Sequence, residues 1–243
     1  MMKKTMNLVK LQLQIYFKGT RFVMPLVGSA VFLYMMYSVK PLDIVSSFLI
    51  SGVFLFLLMV WVGLSATFGE DTVTEQLVFL RVQSGACYYV SKVLFLICIA
   101  LLADILYAAF PVIQNLLNGS DLFTRPVIMA DVGNALLLQG GSAFAGAALG
   151  SFLHPRILKN RKTIIIVTVF LAVLSVTSTA ITEMFPAMKW ILWVLPPVMV
   201  PAKIYGNAEF FALGQTGILF LVLIFYAIVY SVIKSTICHK NKF

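Results

Sequence analysis

The chain alternates long apolar stretches with short polar ones. Six stretches, residues 22–39, 44–68, 93–113, 132–153, 163–185 and 212–233, come close to the roughly 20 helical residues that cross a bilayer core of about 30 Å. A span in lipid must satisfy its own peptide groups, so each stretch is expected to be a helix. The pattern predicts an all-α polytopic membrane protein of six transmembrane helices, forming a single transmembrane domain over residues 1–243.

Residues 1–21 follow another pattern. At about 100° per residue, Lys3, Asn7, Lys10, Gln14, Lys18 and Arg21 fall in one polar stripe, while Leu8, Val9, Leu11, Leu13, Ile15, Tyr16 and Phe17 cover most of the remaining surface. This predicts an interfacial amphipathic helix lying along the inner headgroups. Gln12, Gln14, Lys18 and Arg21 interrupt any apolar core of a cleavable signal. The helix serves either as an anchor or as a lever between a cytoplasmic partner and the first span.

Charge orients the spans. Of the 18 Lys and Arg residues, 14 lie before the first span, after the sixth or in alternate gaps, and only Lys40, Arg125, Lys189 and Lys203 lie in the others. By the positive-inside rule both termini are cytoplasmic and the protein sits in a cell membrane, with a bacterial plasma membrane expected. With 61% hydrophobic and 11% charged residues, and a mean hydropathy of +0.99, too little polar surface remains for a soluble domain. The net charge of +9 is accounted for by topology and anionic lipid, not nucleic acid.

Candidate chemistry is sparse. Cys87, Cys98 and Cys238 form no C-x-x-C pair, and His154 and His239 read as solvated residues at cytoplasmic span ends. The chain contains no G-x-x-x-x-G-K-[ST] phosphate loop, no H-E-x-x-H and no G-x-S-x-G elbow with a membrane-embedded histidine. No catalytic residue, metal or bound cofactor is expected, and any energy source must come from another polypeptide.

The gap from Gly69 to Lys92 is longer than a connector needs. Thr72 and Glu75 have capping-box spacing, Val73, Leu77 and Leu80 form an apolar stripe, Gly85 offers a C-terminal stop, and Glu70, Asp71 and Glu75 suit the helix dipole. A short cytoplasmic helix over residues 73–83 is predicted. It either lies on the lipid surface or docks a protein.

The run Glu75-Gln76-Leu77-Val78-Phe79-Leu80, with Ser84 and then Ser91-Lys92-Val93-Leu94, resembles the segment after the second span of ABC-2-type permeases, the ABCG-like (type V) class of ABC exporters. Their pattern reads approximately Gly-Thr-x-Glu-x-Leu, Pro-x-Ser, Gly-Lys-x-Leu. Here Thr72-Val73 replace the Gly-Thr, Arg81 replaces the proline, and one extra residue separates Glu75 from Lys92. The resemblance implies a coupling helix that docks into a separate ATP-binding subunit, with Glu70, Asp71, Glu75, Gln76, Leu77, Leu80, Arg81 and Ser84 as contact candidates. It also implies a second, smaller contact from the basic loop 154–162, with Arg156, Lys159 and Arg161.

Three features lie within the bilayer. Ser142, Gly146 and Gly150, at four-residue spacing, allow close helix approach, either within one subunit or between two. Asp104 falls near the middle of the third span, where an acidic residue costs roughly 2.5–3.5 kcal/mol, so it should face protein or a hydrated cavity. It is either structural or a pathway group. Between the last two spans, Trp190, Trp193, Pro196 and Pro197 punctuate an apolar segment expected to contain short re-entrant helices. The resemblance implies an external gate there; the bland alternative is a cap over helix ends.

The expected function is that of a permease subunit in an ATP-driven exporter. Two copies, or this chain and a homologue, would form a dimeric pathway for an amphipathic peptide, lipid or hydrophobic drug. Two separate ABC ATPase subunits would bind the ATP and Mg. The rival is a subunit of a non-ABC membrane complex, or a passive carrier.

Overall fold

The computed structural model describes residues 2–69, 72–82, 84–158, 160–206 and 208–240, with the side chains of Met2, Thr72 and Val73 outside the description. Glu70, Asp71, Gln83 and Lys159 therefore lie outside the described residues. The described helices are α1 (Met2–Lys18), α2 (Val23–Met36), α3 (Ile44–Thr67), α4 (Thr72–Val82), α5 (Gly85–Leu117), α6 (Met129–Phe152), α7 (Arg161–Met184), α8 (Lys189–Leu192), α9 (Val200–Tyr205) and α10 (Leu213–Lys240). Five of them, α3, α5, α6, α7 and α10, are long and apolar enough to cross a membrane. The protein is an all-α, multi-pass membrane protein.

The first predicted span departs from expectation. Instead of a helix over 22–39, α2 has 14 residues, or about 21 Å, and meets α1 at a 73° bend. Only the bent pair together has the length and composition of a sixth span. Lys3, Asn7, Lys10, Gln14 and Lys18 of α1 are exposed, but its other face is partly covered by protein: Val9, Gln12 and Tyr16 are buried against α5. Gln12 Nε2 donates to Ser91 Oγ at 3.3 Å, and the Tyr16 ring meets Phe95 edge-on.

α6 forms the centre of the bundle and packs on α3, α5, α7 and α10. It is the least apolar of the five long helices and the most buried, because protein rather than lipid surrounds it. Gly146 and Gly150 face α3: a Cβ on Gly146 would collide with the Phe56 carbonyl, and one on Gly150 with the Val60 carbonyl. From the other side, a Cβ on Gly63 would lie 2.5 Å from the Ala147 carbonyl. The small-residue face thus packs within the chain, with Ser142 buried beside it.

On the side opposite the termini, Arg125 joins two connections. It makes a two-pronged pair with Asp131 at 2.7 and 2.9 Å, donates to the Glu209 carbonyl at 2.8 and 3.1 Å, and lies 4.0 Å from the Phe210 ring centre. The segment between α7 and α10 does not remain at the helix ends. Tyr226 donates to the Trp193 carbonyl and Tyr230 to the Val194 carbonyl at 2.9 Å, roughly 20–25 Å along α10 from Leu213 at about 1.5 Å per residue. Leu192, Leu195 and Val198 pack there against α3, α6 and α10.

Candidate coupling face

α4 and α5 are consecutive helices with almost no connection between them. Gly85, expected to stop α4, instead opens α5: Ser84 is extended and its side chain accepts from the Cys87 amide at 3.4 Å, as an N-cap does. The short break folds α4 back against the base of α5, where Val78 and Phe79 pack with Tyr88, Tyr89 and Cys238.

Glu75 was expected to close a capping box, but its carboxylate turns inward and is 5% exposed. One oxygen, Oε1, accepts from Tyr88 Oη at 2.9 Å and faces Arg156 Nη2 at 2.9 Å, Lys92 Nζ at 3.4 Å and His154 Nε2 at 3.8 Å. The Tyr88 and Lys92 spacing of one helical turn puts both on the same side of α5. Arg156 also donates to Tyr89 Oη at 3.1 Å and the Cys238 carbonyl at 3.4 Å. A single buried carboxylate therefore ties α4 to α5, to the 153–160 loop and to the end of α10.

Burial opposes ionisation of Glu75, yet the neighbouring cations and the Tyr88 hydrogen bond outweigh it and hold the carboxyl below its ordinary range. His154 is buried, not solvated as its position in the sequence suggested. Burial, with the Lys234 and Lys92 charges, pushes its pKa down to about 3. It therefore meets Glu75 as a neutral ring. His154 Nδ1 accepts from the Arg156 amide at 3.3 Å, which leaves the proton on Nε2, facing the carboxylate.

The Glu75 shift carries a sign. Near the ordinary carboxyl value of 4.5 an undocked Glu75 gains a proton that the docked carboxylate refuses. Docking of α4 should therefore weaken as pH falls below about 4.5. Amide hydrogen exchange over α4, corrected for intrinsic rate, should rise in that window, and Glu75→Gln should remove the rise. A pH-independent profile would refute the linkage.

The opposite face of α4 is apolar and uncovered. Leu77 is 62% and Leu80 70% exposed, next to exposed Gln76 and Arg81. The second group of contact candidates divides. Arg156 is drawn into the Glu75 cluster, whereas Arg161 stays exposed with its guanidinium 4.6 Å from the Phe68 ring centre. Tyr88 and His154 were missed in the sequence, although Tyr88 one turn before Lys92 and the pair His154 and Arg156 at a helix end are the legible traces of this cluster.

Asp104 is 5% exposed and lies on α5 against α6, its Oδ2 2.9 Å from where a Cβ on Gly140 would stand. Trp190 and Trp193 are exposed, Pro196 is buried and Pro197 half-buried. Asp104 and these four residues are not brought together with α4. Among the described residues no cluster of His, Cys, Asp or Glu has the makings of a metal site.

Comparison with family models, with curated proteins and with solved structures finds no match.

Proposed function

We propose that the chain is the membrane subunit of an ATP-driven exporter of the ABC-2 type, and that α4 is its contact with a separate ATP-binding subunit. The observation that carries this reading is the two-faced character of α4: Leu77 and Leu80 are exposed, while Glu75 on the other face is locked to three other parts of the chain. A helix that receives a push must be held rigidly to what it moves. Glu75 supplies that connection, through Tyr88 and Lys92 to α5 and through Arg156 to α10.

In this reading both termini are cytoplasmic, the α1–α2 pair completes a six-span unit, and the segment carrying Trp190, Trp193, Pro196 and Pro197 is re-entrant from outside and gates the exit. Asp104, shielded from lipid, lines or supports the pathway. Two such subunits frame a route for an amphipathic peptide, lipid or hydrophobic drug. ATP and Mg are bound by the partner, and this chain contributes no catalytic residue.

Leu77→Asp, and Leu80→Asp separately, test the contact. Neither side chain supports the fold, so the proteins should insert and melt as wild type. A charge at the centre of an apolar contact typically costs 2 kcal/mol or more, about a thirtyfold loss of affinity. ATPase copurification from the native membrane and transport-linked ATP turnover should fall accordingly. Retention of both at wild-type levels would leave α4 as a surface element and remove the ATPase from the reading. The rival, in which these leucines lie in the lipid headgroups, predicts weakened liposome attachment of an isolated α4 peptide instead.

A further inference from the structure

A groove of about 730 Å³ runs between α5 and α10 along the half of the bundle nearest the chain termini. That is the size of a small-molecule cleft. Val90, Leu94, Ile228 and Val232 form exposed walls, and the buried Ala147 and Ala148 of α6 form the floor. The space exists because alanines stand where larger side chains would fill it.

The lining runs from Ala86 to Ile97 on α5 and from Ile224 to His239 on α10, roughly 16 and 22 Å at about 1.5 Å per residue. This approximates one leaflet of a bilayer whose apolar core is about 30 Å thick. The deep part is apolar. Polar groups gather at the terminal end, where Tyr89, Ser235, Thr236 and His239 line the mouth. Lys240 follows His239 in the chain and is exposed one helical turn beyond Thr236.

We infer that this groove binds one acyl chain of an anionic phospholipid, with the headgroup at the mouth beside His239 and Lys240. The lipid comes from the leaflet on the side of the termini, which is the cytoplasmic leaflet in the topology proposed above. An apolar slot one leaflet deep with a positive mouth matches a chain bearing an anionic head. A second copy of this chain fits less well, because two-fold pairing through this face would bring like charges together at the mouth.

The full chain, reconstituted in bilayers, would be photolabelled with phosphatidylglycerol carrying a diazirine in its acyl chain, and the labelled peptides mapped. Labels should concentrate on residues 86–97 and 224–239, several-fold above the equally lipid-facing Ile166, Phe170 and Val173 of α7. The same diazirine on phosphatidylcholine should label the groove several-fold less. Ser235→Trp fills the mouth from α10 and should abolish groove labelling without changing labelling of α7 or the melting temperature. Should that variant fail to fold, Ala86→Trp closes the opposite wall from an exposed position. Uniform labelling of α5, α7 and α10, or equal labelling by the two lipids, would overturn the proposal. So would a groove shielded from lipid by cross-links to a second copy. These outcomes are independent of any ATPase, so they do not move with the Leu77 and Leu80 results. Labelling that favours the leaflet opposite the termini would overturn the leaflet assignment.

Discussion

Gly150→Leu is expected to leave little folded protein, whereas Gly133→Ala in the same helix is expected to be harmless. A Cβ at Gly150 would fall on the Val60 carbonyl group, with the Val60 Cα 2.8 Å away, and backbone cannot rotate aside as a side chain can. α3 and α6 would have to separate along their length, at the junction that also holds Gly146 and Gly63. Overpacking a core costs about 1–3 kcal/mol where neighbours yield. Here they do not, so the loss should reach or exceed about 3 kcal/mol, and even Gly150→Ala should be clearly destabilised. At Gly133 a Cβ meets nothing within 4 Å, and Ala is the better helix former by up to about 1 kcal/mol. Melting temperature and monodispersity in mild detergent provide the comparison. Equal behaviour of the two glycines would contradict the α3–α6 packing.

Glu75→Ala should release α4 from the bundle while the spans stay folded. Judged by capping alone, the substitution would cost on the order of 1 kcal/mol or less. Its burial changes the scale: removing the acid leaves Lys92 and Arg156 facing each other beside Lys234, and breaking such a buried pair typically costs about 3–5 kcal/mol. That cost falls on the junction of α4, the 153–160 loop and the end of α10. Cys238 offers the readout, because its thiol is buried in the cluster under Phe79 and Tyr88. A maleimide should modify Cys238 slowly in the wild type and at least tenfold faster in Glu75→Ala, with Cys98 as the internal reference. The conservative Glu75→Gln should fall between, keeping the Tyr88 bond but not the charge. Unchanged Cys238 protection in Glu75→Ala would remove Glu75 as the tie between the loops and weaken the argument that α4 can transmit a displacement.

The length of the apolar runs alone determined the membrane class and five of the six long helices expected. The ends of α3 at Ile44 and Thr67 and of α7 at Arg161 and Met184 lie within a few residues of the apolar boundaries, because lipid imposes both a length and a side-chain type that any span must obey. The existence of α4 was equally legible from its local apolar stripe, a short-range signal, although Glu75 does not close the capping box that its spacing suggested. What that signal leaves open is which face of α4 is inside. A stripe of Val73, Leu77 and Leu80 would turn to the core of a soluble protein, yet Leu77 and Leu80 face out and Glu75 faces in.

Only the tertiary structure decided that arrangement, because the partners of Glu75 come from residues far apart in the chain: Tyr88, Lys92, His154 and Arg156. No local pattern marks a charge whose partner lies some eighty residues away. The neighbour of the glycine face was undecided for the same reason: four-residue spacing signals close approach, but only the complementary glycine on α3, Gly63, identifies the helix that approaches. The shortened α2 and the 73° bend before it lie between these cases. Composition predicted an apolar run, and the extended backbone at Gly19 together with the packing of Tyr16 on Phe95 marks where the chain turns. The groove between α5 and α10 belongs wholly to the tertiary level, since its floor alanines read in the sequence as nothing more than part of a close-packed helix.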